Sequence, residues 1–162
     1  MPNWSRMSAW IRAYRGMLIV AALLLLVDRA TKVWALTSLV DRPIVVGKYL
    51  WLNYVENTGM AFGLFQNGNA VLEIVMLLVI GYIIYSWREI AQYGKWAQWG
   101  AVLILSGALG NLYDRITLGF VVDIIDFRIW PVFNAADSFI TVGALLLAIS
   151  LLKYTHSSQE KI

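Results

Sequence analysis

The chain contains no cysteine. A disulfide framework, a thiolate nucleophile and a cysteine-ligated metal site are therefore excluded. Histidine occurs once, at His156 beside the C-terminal tail, so a His-ligated zinc site and a Ser-His-Asp triad are excluded by count. Charge is scarce as well: 14% of the 162 residues are charged and 60% are hydrophobic, whereas a soluble domain is about one quarter charged. That balance describes a polytopic membrane protein, whose chemistry has to come from carboxylates.

The polar groups that are present crowd into one stretch, Ser106 to Asp137. It holds Asp114, Asp123, Asp126 and Asp137, with Arg115, Arg128, Asn111 and Asn134, in otherwise apolar sequence. A charge near a bilayer centre costs about 2.5–3.5 kcal/mol on insertion scales, which makes each such group a functional-site candidate. Asn111, Asp114 and Arg115 stand at i, i+3, i+4 and share one helix face, and Asn134 and Asp137 share another. Between them, β-branched residues closed by Pro131 read as a short extended connection carrying Asp123 and Asp126.

In chain order, a basic N-terminal segment precedes GMLIVAALLLLV. No small-x-small cleavage site follows, so this is a spanning helix, about 16–36, rather than a removable leader. Asp28 and Lys32 at i, i+4 are spaced to pair on one face, and the stems of Arg29 and Lys32 are long enough to snorkel outward. Residues 40–68 are punctuated by Pro43, Gly47, Gly59, Gly63 and Gly68, with apolar residues in short runs. They read as a small β-element on the membrane surface, rimmed by Trp51 and Tyr54. Within it, Asn57 and Gly59 precede an apolar tip, either a tight turn dipping into the interface or a loop that contacts substrate. Three further spans are expected over about 70–88, 96–115 and 134–153, each near the ~20 residues that cross a bilayer. A loop of about 116–133 joins the last two, and the whole chain, 1–162, forms a single membrane domain.

Trp10, Trp34, Trp51, Trp87, Trp96, Trp99 and Trp130 fall near span ends, as in an aromatic belt. Arg6, Arg12, Arg15, Arg88, Lys95, Lys153 and Lys161 lie on one side of the four spans, against Arg42, Lys48 and Arg128 on the other. Positive charge stays inside, which places both termini in the cytoplasm and Asp123 and Asp126 at the external face. The net charge of +3 is explained by anionic lipid and needs no nucleic-acid partner.

Four blocks of the chain resemble, in order, the patterns of the lipoprotein signal peptidases (signal peptidase II). They are VDRATK at Val27–Lys32, NTGMAF at Asn57–Phe62, GALGNLYDR at Gly107–Arg115 with VVDIIDF at Val121–Phe127, and FNAAD at Phe133–Asp137. The resemblance implies an aspartic endopeptidase of the bacterial inner membrane, cutting prolipoproteins just before a cysteine that carries diacylglycerol. It implies Asp123 and Asp137 as the catalytic pair, membrane lipids as surroundings, and neither cofactor nor metal; a monomer is expected. Two carboxylates held close in a poorly solvated site do not both ionise, so one activates water while the other donates a proton.

Asn111 and Asn134 are expected either to orient the pair or to bind substrate backbone. Arg115 is expected to pair with Asp114 or to face lipid phosphate, Asp28 and Lys32 to brace the bundle, and Asp126 to be a solvated loop residue. The expectation is thus an all-α integral membrane protein of four transmembrane helices, with the β-element between the first two. A proton-coupled carrier is the rival from another class, disfavoured because the carboxylates gather at one membrane face. A non-catalytic scaffold would leave the polar cluster unexplained.

Overall fold

The computed structural model describes residues 4–59 and 69–159. The apolar tip expected after Gly59 lies outside the described residues. The chain runs as helix α1 (Trp4–Ser38), strands β1 (Ile44–Gly47) and β2 (Leu50–Asn57), helices α2 (Asn69–Tyr85), α3 (Trp87–Gln92) and α4 (Lys95–Leu118), strand β3 (Val121–Asp126) and helix α5 (Ala135–Gln159). It is mostly helical with one small antiparallel sheet.

The helices differ from the sequence reading at their ends: α1, expected over 16–36, runs from Trp4 to Ser38, and α5, expected over 134–153, runs to Gln159. The helix expected over 70–88 stops at Tyr85, and Ser86 separates it from α3, which occupies most of the turn expected at 88–95. The helix expected to end at 115 continues to Leu118. It is closed there by Gly119, whose φ of 82° is left-handed and whose N–H donates to the Arg115 carbonyl at 3.0 Å, a conformation that glycine adopts without steric penalty.

The sheet order is β1-β2-β3, so the β-element is not confined to the segment between the first two helices. Its third strand is the connection expected to be merely extended, drawn in because four consecutive residues, Val121 to Ile124, are all buried. Val122 and Ile124 pack with Ala35 and Leu39 at the end of α1. The register sets Val55 opposite Asp123 and Asn57 opposite Val121, which brings Asn57 diagonally across to Asp123.

α4 packs chiefly on α5, and also on α1 and α2. The α4–α5 crossing is close because it is made of glycine: a Cβ on Gly100 would meet the Gly143 carbonyl oxygen at 2.6 Å. Among the described residues, one helical segment, Ala135–His156, is long and apolar enough by itself to cross a bilayer, with a mean hydropathy of 2.0; the apolar run Ala70–Tyr85 is shorter. The outward faces of α1, α2 and α5 present large apolar side chains such as Leu18, Leu78 and Leu152, while Lys32, Asp114 and Asp123 are enclosed.

Candidate active site

Side chains from β3, α4 and the first turn of α5 converge on Asn134. This residue precedes α5, and its side chain Oδ1 accepts from the Asp137 N–H at 2.9 Å while Asp137 Oδ2 accepts from the Asn134 N–H at 3.1 Å. That reciprocal arrangement is a capping box, which satisfies two of the donors every helix N-terminus leaves open. The Asn134 Nδ2 then points away from the helix and donates to Asp123 Oδ1 at 2.8 Å and to Asn111 Oδ1 at 3.2 Å. One fully buried asparagine therefore ties the strand carboxylate to the helix carboxylate.

Each carboxylate has a second donor. Asn57 Nδ2 reaches Asp123 Oδ2 at 2.8 Å, with Asn57 Oδ1 held by the Gly59 N–H at 2.9 Å. Asn111 Nδ2 reaches Asp137 Oδ1 at 2.7 Å. Burial, and after it the charge of Asp137, push the Asp123 carboxyl up to about 7; the Asn57 and Asn134 hydrogen bonds and the Lys32 charge oppose the rise without cancelling it.

Behind the carboxylates lies a closed charge cluster. Lys32 Nζ is 2.9 Å from Asp28 Oδ2, 2.9 Å from Asp114 Oδ2, and donates to Asn111 Oδ1 at 2.9 Å. Arg29 pairs with Asp114 Oδ1 at 2.6 Å. Asp28 Oδ1 accepts from the Ala136 N–H at 3.1 Å, and Asp114 Oδ2 from the Val122 N–H at 3.3 Å. Asp28 of α1 thus holds the N-terminus of α5, and Asp114 of α4, paired to α1 through Arg29 and Lys32, holds the strand that carries Asp123. Gly110 leaves room for this, since a Cβ there would meet Asp28 Oδ2 at 2.5 Å.

Several expectations are corrected by these contacts. Lys32 does not snorkel: it is wholly buried, because two carboxylates and an amide replace its hydration. Asp114 does not pair with Arg115 but with Arg29 and Lys32, and Arg115 donates instead to the Gly59 carbonyl at 3.1 Å. Asp126 is no solvated loop residue. It is buried at the end of β3, accepting from Asn53 Nδ2 at 2.8 Å, from the Arg128 N–H at 2.7 Å and from the Arg128 guanidinium at 3.1 Å. Arg29 and Asn53 were not among the candidates. Three charges within Asp28–Lys32 were the available signal for Arg29, but its partner lies 85 residues away.

Asp137, Asn111, Arg115, Asn57 and Gly59 line one end of a cleft of about 710 Å³. The rest of its wall is mostly apolar, with Leu72, Val75, Met76 and Val79 of α2, Ile104 and Ala108 of α4, and Ile140 of α5. Arg115 Nε, on this wall, is buried without a hydrogen-bond partner among the described residues. Chemically, the site offers one carboxylate, Asp137, on the wall of a mostly apolar cleft, and a second, Asp123, tied to it through Asn134.

The family model described as signal peptidase (SPase) II matches residues 20–153. A lipoprotein signal peptidase of Clostridioides difficile (strain 630) is 43% identical over 148 residues, covering 88% of this chain and 98% of that protein. One of Syntrophomonas wolfei is 45% identical over 134 residues, covering 80% and 88%. Among solved structures, a bacterial membrane enzyme obtained by the in meso method superposes with a TM-score of 0.78 at 32% identity, covering 86% of this chain and 89% of that one.

Proposed function

The chain belongs to the signal peptidase II family, and on that premise we propose that it removes the signal peptide from diacylglyceryl-modified prolipoproteins as an aspartic endopeptidase, with Asp123 and Asp137 as its catalytic pair. The observation that carries this reading is the Asn134 bridge between two enclosed carboxylates, one of which, Asp137, lines a mostly apolar cleft. The ionised member takes a proton from water as the oxygen attacks the carbonyl preceding the lipid-bearing cysteine. Its protonated partner donates its proton to the carbonyl oxygen. The acyl chains lie along Val75, Met76, Val79 and Ile140, where burial of methylene groups at ~0.8 kcal/mol each anchors the substrate. Asn57, Gly59 and Arg115 face the peptide beside the pair.

In this reading α1, α2, α4 and α5 cross the bacterial inner membrane, with both termini cytoplasmic and the sheet external. The support is an inside-out distribution: Leu18 is 70% exposed and Leu152 72%, whereas Lys32 and Asp114 are 0%. Such a surface suits lipid rather than water.

The test is cleavage by purified protein of a diacylglyceryl-modified precursor and its unmodified counterpart. The modified form is expected to be shortened and the unmodified one to be cut far more slowly. Asp123→Asn and Asp137→Asn should each abolish product, with the double variant scarcely worse than either, as for groups acting as one unit. Asp126→Asn should keep substantial activity. Equal rates on both precursors would remove the lipid from recognition, and an active Asp123→Asn would end the pair's assignment.

A further inference from the structure

Resting on the reading of Asp123 and Asp137 as the working pair, we propose that the fold gives them fixed and unequal roles: Asp137 holds the negative charge and receives the proton from water, and Asp123 carries the proton given to the substrate. The number of hydrogen bonds does not separate the two, since each carboxylate has two donors, the Asn57 and Asn134 side-chain amides on Asp123 and the Asn111 side-chain amide with the Asn134 N–H on Asp137. What separates them is the backbone. Asp137 lies in the first turn of the 25-residue α5 and accepts from the N–H of Asn134, where the helix end is equivalent to roughly half a positive charge. Asp123 lies on a strand, and strand dipoles nearly cancel. It receives donors from side chains alone, Asn57 and Asn134.

Of the nearby cations, Lys32 and Arg115 are buried and Arg29 is partly exposed; Lys32 pairs with Asp28 and Asp114, and Arg29 with Asp114. Lys32 and Arg115 both act on Asp137. Glu73, half-buried on α2, is the further acid whose charge reaches Arg115, without an ion pair among the described residues.

Lys32 and Asn134 are positioning residues in this scheme. The ammonium of Lys32 faces Asn111 Oδ1, which turns Asn111 Nδ2 toward Asp137. The Asp137 N–H occupies Asn134 Oδ1, which turns Asn134 Nδ2 toward Asp123. The proton count closes over a cycle. Water oxygen bonds to the carbonyl carbon, one water proton goes to Asp137, and the Asp123 proton goes to the carbonyl oxygen. The carbon–nitrogen bond then breaks as Asp137 protonates the leaving nitrogen and Asp123 recovers a hydroxyl proton, restoring the starting state.

The experiment is carbon-13 NMR of the intact protein in detergent, with aspartate labelled at Cγ and the two resonances assigned by their loss in Asp123→Asn and Asp137→Asn. Should either variant fail to fold, Asp123→Glu and Asp137→Glu assign the same resonances by the same loss. At about pH 6, above the ordinary aspartate range, the Asp137 resonance is expected at the carboxylate position and the Asp123 resonance at the acid position. Asn134→Ser, which keeps an oxygen for the cap but loses the donor to Asp123, should move the Asp123 midpoint upward and leave Asp137 a carboxylate. The reverse placement, or two resonances that titrate together, would overturn the proposal. No substrate is involved, so this result is independent of whether the chain cleaves prolipoproteins.

Discussion

Asp123 keeps its proton to about pH 7 because burial disfavours its charged form and the charge of Asp137 adds to that effect. The same shift has a stability consequence of definite sign. A carboxyl raised from 3.8 in the unfolded chain to about 7 in the folded one stabilises the fold fully below the lower value, and the contribution is lost as pH rises through the upper one. The thermal midpoint in detergent should therefore fall between about pH 4 and 7, and Asp123→Asn should flatten that fall. In the cleavage assay kcat/KM should decline on the alkaline side with a limb near pH 7, where Asp123 loses the proton it gives to the substrate. An alkaline limb unchanged in position by Asn57→Ala, which removes a donor that favours ionised Asp123, would count against Asp123 as its origin; the expected movement is upward.

At the scale of elements, the crossing of α4 and α5 determines whether the site assembles, because Asp137 stands at one end of α5 and Asn111 on the facing side of α4. That crossing tolerates no side chain at Gly100, where the obstacle is the Gly143 backbone rather than a movable group. Overpacking of this kind costs about 1–3 kcal/mol or more when the backbone must shift. Gly100→Val should lower the thermal midpoint sharply and reduce cleavage with it. Gly81→Ala on α2, where a Cβ meets nothing within 4 Å, should be neutral or stabilising by up to ~1 kcal/mol, the helix propensity difference. Equal effects from the two would mean that α4 and α5 are not held at this distance. The charge cluster works between elements too: removing Lys32 would leave Asp28 without its cation and Asp114 with Arg29 alone, a loss of about 3–5 kcal/mol for the uncompensated buried charge on Asp28.

For the whole molecule, the distribution of basic residues and the position of the site make one joint statement about orientation. Arg42 precedes β1 and Lys48 lies in the turn between β1 and β2, at the same end of the helices as Asp123 and Asp137, while Arg88 and Lys95 lie at their opposite ends. A reporter active only outside the cytoplasm should be silent when fused after Lys161 and active when inserted near Arg42. The opposite pattern would put the site on the cytoplasmic face and overturn the proposed topology.

What the sequence by itself determined was the kind of molecule and the polar inventory. Its composition excluded cysteine and histidine chemistry, and helical spacing grouped Asn111 with Asp114 and Asn134 with Asp137, because i, i+3 neighbours share a face in any helix. The family resemblance named Asp123 along with Asp137. The tertiary structure decided the partners. Arg29 meets Asp114, Lys32 is shut in rather than snorkelling, and Asp126 is buried against Asn53 and Arg128. Local spacing favours near neighbours such as Asp114 and Arg115, but in a poorly solvated interior the enclosing charge wins, whatever its distance along the chain. The strand register was likewise undetermined by sequence: β3 joined β2 because its four consecutive buried residues needed cover on both faces, and that pairing carries Asp123 to Asn57, while the Ile125–Phe133 bridge brings Asn134 beside β3.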